Sequence, residues 1–245
     1  MSPGFNGVRM KKSVLVVGLV VLVLALGFYV FTQRGPQSQD GPARTTTANN
    51  LKPAARGQVI EPDEAYHGSY RVECKTTLYE GGKKSFTDLA SLIAWLPTKA
   101  EMKRDHPHIT AKTKRLPEEE HYVTVDAYIY AIKKEDNDND FHVIMGSTPQ
   151  KEKDTKFMAA EVSGLREGGT CNDKLQVPRD ELKRHFGDRL PGYSYHTFDY
   201  YGGSPIPVKV SGPLFFDKHP AGGVGTKDYK TTTSWEIHPV ADMIF

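Results

Sequence analysis

The fold is indicated most clearly by residues 121–132, which read HYVTVDAYIYAI. The apolar positions are Val123, Val125, Ala127 and Ile129, and the positions between them are Thr124, Asp126, Tyr128 and Tyr130. Alternation with a period of two residues is typical of a strand that buries one face. A polar stretch, KKEDNDND, and a second strand-like run, FHVIMG at 141–146, follow directly. The sequence therefore predicts two strands joined by a solvated hairpin turn.

Three further strands and one helix are predicted downstream. The strands cover 156–164, 207–216 and 232–240, and the helix covers 178–187. Pro178 near the start of the helix and Gly187 at its end fit the usual preferences of helix termini. Five strands with a helix between the third and the fourth is the element order of the OB-fold, a partly open barrel, whereas a β-sandwich usually has seven strands or more. We therefore predict a mainly β, OB-fold-like five-stranded barrel over residues 121–245.

Residues 58–120 are expected to form an N-terminal α/β layer that packs on this barrel. The run GSYRVECKTTLYE (68–80) has β-leaning character, and DLASLIAWL (88–96) predicts a short helix. Ser85 or Thr87 can cap that helix, and Pro97 stops it. Residues 99–120 are charged and predict an irregular surface excursion.

The N-terminal part of the chain predicts a membrane anchor. Residues 13–32 read SVLVVGLVVLVLALGFYVFT, about the length needed to span a bilayer and free of charge. Basic residues in 1–12 favour a cytoplasmic N-terminus, which places the rest of the chain in the periplasm or outside the cell. We expect an uncleaved signal anchor, with a cleaved signal peptide as the alternative. Residues 33–57 are rich in Pro, Gly, Ser and Thr and predict a disordered linker.

The charge of the predicted exported part disfavours nucleic acid as a partner. Residues 1–56 hold seven of the 32 basic groups and one of the 30 acidic groups, which leaves 25 basic and 29 acidic groups beyond them. A net charge of −4 does not favour binding to phosphates. The same part contains the two cysteines, Cys74 and Cys171, which are candidates for one disulfide or are two separate thiols.

An acid-x-His pattern occurs three times: Asp140/His142, Asp217/His219 and Glu236/His238. Residues two apart on a strand point the same way, so each carboxylate shares a face with its imidazole. The neighbouring apolar positions put these faces on the outward side of the barrel. Three converging pairs would make a site for Zn or another transition metal, and a metal-dependent hydrolase is then one functional alternative. Otherwise the carboxylates orient the imidazoles and tie strands together.

The run DNDND at 136–140 resembles the opening of a calcium loop. An EF-hand needs Gly at the sixth position and Glu at the twelfth, and these positions are Phe141 and Ser147 here. This run is therefore not an EF-hand loop. A solvated turn is the preferred interpretation of this run, with weak calcium binding as the alternative.

Tyr128 and Tyr130 share the outward face of the first barrel strand. There they are candidates to stack on a glycan or on single-stranded nucleic acid. The alternative is that they pack under a covering segment, for which YSYHTFDYY at 193–201 is suited.

Three runs, VTVDAYIYAIKKEDNDNDFHVIMG, PVKVSGPLFFDKHPAG and SWEIHPVADMIF, resemble a family of exported bacterial proteins of unknown function. Its members combine an acidic turn, a D-[FY]-H-[VL] strand, a G-x-x-F-F-D-x-x-H-like stretch and a terminal [WI]-E-[IL]-H-P-V. The likeness covers 115–245, and here DKH places His219 one position early. The resemblance implies an extracytoplasmic OB-fold-like domain and supplies no substrate.

A non-enzymatic binding or scaffold domain is the leading functional hypothesis. The chain has no G-x-S-x-G nucleophile motif, and the Gly-rich run at 220–228 is not followed by a helix that would bind phosphate. The expected partners are the membrane, through residues 13–32, and a protein or glycan ligand.

Overall fold

The computed structural model describes residues 60–218 and 224–245. The predicted cytoplasmic N-terminus (1–12), anchor (13–32) and linker (33–57) lie outside these residues. Within the described ranges, no helix combines the length and the apolar character needed to cross a membrane.

Secondary structure in the described part consists of four α-helices, eight strands and three short 3₁₀ segments. The helices are α1 (Val72–Thr76), α2 (Leu89–Trp95), α3 (Lys99–Asp105) and α4 (Asn172–Phe186). The strands are β1 (Lys84–Phe86), β2 (Tyr122–Lys134), β3 (Phe141–Gly146), β4 (Phe157–Val162), β5 (His196–Thr197), β6 (Ile206–Phe216), β7 (Trp235–Ile237) and β8 (Asp242–Ile244). The 3₁₀ segments are Pro117–Glu119, Gly187–Arg189 and Phe198–Tyr201.

Five of the strands close into a barrel. The neighbours around it are β2, β3, β4, β7 and β6, and β6 pairs again with β2. Long β2 and β6 make this closure possible because different parts of each strand pair with different neighbours. All contacts between adjacent barrel strands are antiparallel except β4 with β7, which is parallel. The prediction of a mainly β chain with a five-stranded barrel is confirmed.

Helix α4 lies in the chain between β4 and β6, and the other strands extend the barrel at its edges. Strand β1 pairs parallel with β2, β5 pairs with the second half of β2, and β8 pairs with β6. The predicted strand 141–146 matches β3, whereas the predicted strand 232–240 is reduced to the three residues of β7.

Several local predictions are wrong for identifiable reasons. Residues 72–76, for which the sequence favours a strand, form helix α1. The helix predicted at 88–96 is present as α2, but its cap is Asp88 and not Ser85 or Thr87, because the Asp88 carboxylate accepts a hydrogen bond from Ser91 N at 2.7 Å. The excursion at 99–120 contains α3, whose start is stabilised by reciprocal capping between Thr98 and Glu101. Helix α4 begins at Asn172, so Pro178 lies within it, not at its first turn.

The barrel interior is filled by the apolar positions that alternate along its strands, including Val123, Val125, Val143, Ala160 and Ile237. The other face of β3 and β4 is covered as well, because every residue of these two strands is buried. The cover comes from the segment around Tyr66 and α1 and from the segment around Tyr195 and Phe198.

A buried ion pair fastens the N-terminal layer to the barrel. Arg71 donates to Glu119 through two nitrogens, at 2.7 and 2.5 Å, and both side chains are fully buried. Glu119 also accepts from the backbone of Leu116 at 2.7 Å and of Phe216 at 2.8 Å. Since Phe216 is the last residue of β6, this carboxylate joins the layer directly to a barrel strand.

Candidate functional site

A row of polar side chains crosses three adjacent strands on the covered outer face of the barrel. His142 on β3 lies opposite Glu161 on β4 in the antiparallel register. The parallel register of β4 and β7 pairs Ala160 with Ile237, so Glu161 lies beside His238, which follows β7 directly. Strand pairing alone therefore aligns His142, Glu161 and His238.

The carboxyl and imidazole groups in this region lie within a few ångströms of one another. Asp140 Oδ2 is 3.3 Å from His238 Nε2, and Glu161 Oε2 and Glu236 Oε2 are 3.9 and 3.6 Å from His238 Nδ1. His142 Nδ1 is 3.2 Å from Glu161 Oε1 and 3.3 Å from Glu135 Oε1. We call Asp140, His142, Glu161, Glu236 and His238 the carboxylate–histidine cluster.

The cluster is enclosed by side chains from distant parts of the chain. Lys75 of α1 brings in an ammonium group, which pairs with Asp138 at 3.7 Å. Tyr66 and Tyr195 add buried phenol groups, and the Tyr195 ring lies 6.0 Å from the His142 ring between centroids. Gly164 N donates to Asp140 Oδ1 at 2.7 Å. A reagent in solvent does not reach the cluster in this conformation, because all five residues are buried.

Burial and crowding shift the pKa values of the acidic groups upward. Burial, followed by repulsion from Asp138, raises the pKa of Asp140 to about 7. Burial also raises the pKa of Glu161, against the attraction of His142 and His238. The pKa of Glu236 is raised well above its ordinary value by burial and by the neighbouring Glu161.

The basic groups respond in opposite directions. Burial, assisted by the positive charge of Lys75, lowers the pKa of His238 to about 3, so this imidazole is neutral. Burial alone would lower the pKa of His142, but Glu161 and Glu135 outweigh it and raise that pKa. The pKa of Lys75 is raised in the same way: burial opposes the positive charge, and Glu161, Asp140 and Glu236 favour it.

Several cluster atoms lack hydrogen-bond partners among the described residues. They are Asp140 Oδ2, His142 Nε2 and both ring nitrogens of His238. Asp140 Oδ2 and His238 Nε2 are 3.3 Å apart but are not aligned for a hydrogen bond. Buried polar atoms are normally paired, so these atoms require an explanation. Chemically, a neutral imidazole and two carboxylates supply a nitrogen and oxygen ligand set.

Sequence analysis identified four of the five cluster residues. The pairs Asp140/His142 and Glu236/His238 meet here, and they face away from the barrel interior as expected. The implied exposure is wrong, because the covering segments bury both pairs. Asp217 follows β6, where its backbone N donates to Ser234 O at 2.9 Å, and it raises the pKa of nearby Glu236. His219 lies outside the described residues.

Glu161 and Lys75 were missed by sequence reasoning. Glu161 is a single acid in the apolar strand FMAAEV, and that isolation is a signal that points to a buried functional or structural charge. Lys75 carries no comparable signal, because it lies in a short amphiphilic stretch far from the barrel strands in sequence.

The acidic turn before β3 is only partly solvated. Asp136 and Asn137 are exposed, whereas Asn139 is buried and its side-chain amide donates to Ala65 O at 2.7 Å. The expectation of a fully solvated turn at 136–140 is therefore wrong, because its second half contacts the N-terminal layer and delivers Asp140 to the cluster.

Tyr128 and Tyr130 lie in different environments. Tyr130 is fully buried and packs edge-on against Phe157 and Phe198, with ring centroids 5.0 and 5.6 Å away. This arrangement is the packing alternative, with the 193–201 segment as the cover, and a stacking role for Tyr130 is excluded in this conformation. Tyr128 is half-buried and lines an outer groove.

This groove has a volume of about 600 Å³ and lies between β2, β6 and the start of α2. An ion pair between Lys209 and Asp126, at 3.1 Å, crosses two of these strands at its wall. The residues lining the groove are Thr87, Asp88, Asp126, Ala127, Tyr128, Ser147, Pro149, Pro207, Val208, Lys209, Ile244 and Phe245. Polar edges around an aromatic wall are typical of a small-molecule or saccharide site.

Of the two alternatives for the cysteines, the structure has the separate thiols, because Cys74 and Cys171 are both free. Cys74 Sγ is buried and lies 3.7 Å from Arg71 Nη2 and from Thr113 O. Cys171 precedes α4 and is half-buried. The two residues are separate thiols, which was the alternative interpretation.

Comparison with known proteins identifies no relative. No family model matches the chain, and no curated protein or solved structure matches it significantly.

Proposed function

We propose that the protein is a membrane-tethered, extracytoplasmic binding or scaffold domain built on an OB-fold-like barrel and that it is not an enzyme. The order of the barrel strands supports the OB-fold assignment. Taken in chain order, the five strands are arranged first, second, third, fifth and fourth, and the helix lies between the third and the fourth. The apolar run at 13–32 and the resemblance to exported bacterial proteins support the location.

The burial of the carboxylate–histidine cluster is the observation that carries the proposal of a binding domain. This cluster contains the acid and imidazole groups that a hydrolase would use, yet Asp140 and His238 are fully buried. A general acid or base has to reach its substrate directly or through one water molecule. Enclosure by Lys75, Tyr66 and Tyr195 favours a role in holding the domain together.

The groove beside Tyr128 is the proposed ligand site. It is open to solvent and combines the phenol ring of Tyr128 with polar groups from Asp88, Asp126 and Lys209. An aromatic face flanked by hydrogen-bonding groups suits a saccharide, whose ring has an apolar face and hydroxyl edges. The negative net charge of the predicted exported part disfavours a nucleic-acid ligand.

Binding to soluble peptidoglycan fragments and to a panel of neutral oligosaccharides tests this proposal. The full-length protein in detergent is titrated with each compound by calorimetry. We expect Tyr128→Ala to weaken binding at least about tenfold, which corresponds to about 1.4 kcal/mol. Tyr193→Ala is the matched control, because Tyr193 is 61% exposed and lies outside the groove. Absence of binding to every compound, or equal affinity for the Tyr128 variant, contradicts the proposal.

A metal-dependent hydrolase is the second candidate function, and the convergence of Asp140, Glu161 and His238 favours it. In such an enzyme a metal-bound water attacks the substrate, so the covering segments would have to open. Protein produced with added Zn²⁺ is assayed on phosphodiester, ester and peptide substrates. Turnover that Glu161→Gln abolishes would replace the binding proposal with this one.

A further inference from the structure

We propose that Asp140, Glu161 and His238 form a binding site for one divalent transition-metal ion, best matched by Zn²⁺. This inference goes beyond the proposed binding function and does not depend on any ligand in the groove. Each residue offers one ligand atom, and these three atoms lie within 4.8 Å of one another.

The spacing of the ligand atoms is close to that of a bound ion. Zinc lies about 2.1 Å from nitrogen and oxygen ligands, so tetrahedral ligand atoms are about 3.4 Å apart. Asp140 Oδ2 and His238 Nε2 are already 3.3 Å apart. The ligand atoms lie within 4.8 Å of one another, so the most distant pair has to approach by at most about 1.4 Å.

Unpaired buried atoms supply an independent argument for a ligand. Both nitrogens of His238 and Oδ2 of Asp140 lack a hydrogen-bond partner within the described residues, although the two side chains are fully buried. If the cluster only tied strands together, these atoms should form hydrogen bonds, as the charged atoms of Arg71 and Glu119 do. A metal bond uses a carboxylate lone pair and the lone pair of a neutral imidazole, and so it accounts for Asp140 Oδ2 and for one of the two His238 nitrogens.

The charges around the three ligand residues leave room for a cation. Asp138, Asp140, Glu161 and Glu236 are four carboxyl groups in this enclosed region, and they face the ammonium of Lys75 and the imidazole of His142. Arg179 is also close, but its guanidinium donates to Asn139 O at 3.0 Å and to Ser163 O at 3.1 Å and lies 3.8 Å from Glu64. Four carboxyl groups therefore face one ammonium group and one imidazole that is not itself a proposed ligand, a set that can accommodate a cation.

The ligand chemistry selects among divalent ions. Imidazole with two carboxylates fits Zn²⁺, whereas Ca²⁺ requires six to eight oxygen ligands. Glu236 and His142 lie next to the ligand residues and are placed to orient them, as outer groups do in many metal sites. Because the site is enclosed, the ion is taken up during folding, before α1 and the Tyr195 segment close over it.

The experiment uses full-length protein without a polyhistidine tag, produced in medium with added Zn²⁺ and purified in detergent without chelator. Metal content is measured by mass spectrometry for wild type, Asp140→Asn, Glu161→Gln and His238→Gln. We expect about one equivalent of Zn²⁺ in wild type and less than about a tenth in each variant. His108→Gln and Asp126→Asn are matched controls at exposed positions and should keep the wild-type content.

Two results would overturn the proposal. The first is a Zn²⁺ content below about a tenth of an equivalent in wild type. Lys75 and bound protons would then be what neutralises the carboxylates. The other is an unchanged metal content in all three folded variants, which would mean adventitious binding elsewhere. If no variant folds, wild type produced with Co²⁺ decides. A four-coordinate Co²⁺ ion absorbs visible light strongly. If wild type shows this absorption and added Zn²⁺ abolishes it, the metal site is supported; if wild type shows no such absorption, the site is refuted.

Discussion

Among the buried charged groups that the structure describes, two centres differ in how completely they are paired. The Arg71–Glu119 centre is closed: Glu119 accepts from both Arg71 nitrogens and from two backbone groups, at 2.5 to 2.8 Å. The carboxylate–histidine cluster is equally buried but holds Asp140 and His238 atoms without hydrogen bonds among the described residues.

This difference separates a structural fastening from a candidate binding site. In a buried ion pair with complete hydrogen bonds, the attraction between the charges and the hydrogen bonds offset the cost of desolvation, so no bound ligand is needed. A cluster in which several carboxyl groups are crowded together and buried polar atoms are unpaired has a free-energy cost that a ligand can relieve. Burial of charge is therefore not itself the signal of function, and the state of hydrogen bonding at the buried charge is more informative.

Glu119→Gln should have the largest effect on stability. The variant leaves the Arg71 guanidinium buried without a counter-charge, and we expect the free energy of unfolding to fall by about 3 kcal/mol or more. Guanidinium titrations followed by the fluorescence of buried Trp235 measure this loss. Glu181→Gln is the control, because Glu181 pairs with Arg184 at the surface, and its unfolding midpoint should stay at the wild-type value. A loss at Glu119 no larger than the control would contradict the closed-centre interpretation.

Glu236→Gln should act in the opposite direction. Burial and Glu161 raise the pKa of Glu236, so folding disfavours its ionised form, and an uncharged amide avoids that cost. We therefore expect metal-free protein to gain about 1 to 2 kcal/mol in the free energy of unfolding. The titration is done after unfolding and refolding in EDTA. A loss greater than about 1 kcal/mol would show that this carboxylate is satisfied like Glu119 and would remove the contrast.

Glu135→Gln should have the smallest effect, and the effect should depend on pH. Burial alone would raise the pKa of Glu135, but His142 and Lys133 lower it to about 2. The contribution of Glu135 to the free energy of unfolding is therefore complete above the pKa of the unfolded chain, about 4.3, and is lost as the pH falls through about 2. We expect the variant to lose about 1 kcal/mol at pH 6, since the side chain is partly exposed, and to match wild type near pH 2. Parallel unfolding curves at both pH values test this, and an equal loss at both would exclude the charge as its cause.

The barrel was predictable because its signals are local. Alternation identified β2 and β3, and the order of strands and α4 follows from patterns within single segments. The start of α4 was misplaced because Pro178, a residue preferred at the first turn of helices, is here the seventh residue of a longer helix. The helix α1 was missed because five residues carry too little periodicity to be recognised.

The candidate site was predictable only in part, because its assembly depends on contacts between distant segments. The acid-x-His spacing found Asp140, His142, Glu236 and His238, since residues two apart share a face of a strand. It could not find Glu161, which joins them through the pairing of β4 with β3 on one side and with β7 on the other. Nor could it show that Lys75 and Tyr195 cover the strands, because no local pattern encodes what packs on an outer barrel face.

The parallel contact between β4 and β7 also sets when the cluster can exist. His238 lies almost a hundred residues after Asp140 and over 160 after Lys75, so a growing chain presents a lysine and two carboxyl groups long before their imidazole partner arrives. Contacts of such separation are costly to close and tend to form late in folding. The cluster therefore depends on strand β7 and the residue that follows it. A chain truncated before residue 235 would keep most barrel-forming segments but would lack Glu236 and the His238 imidazole.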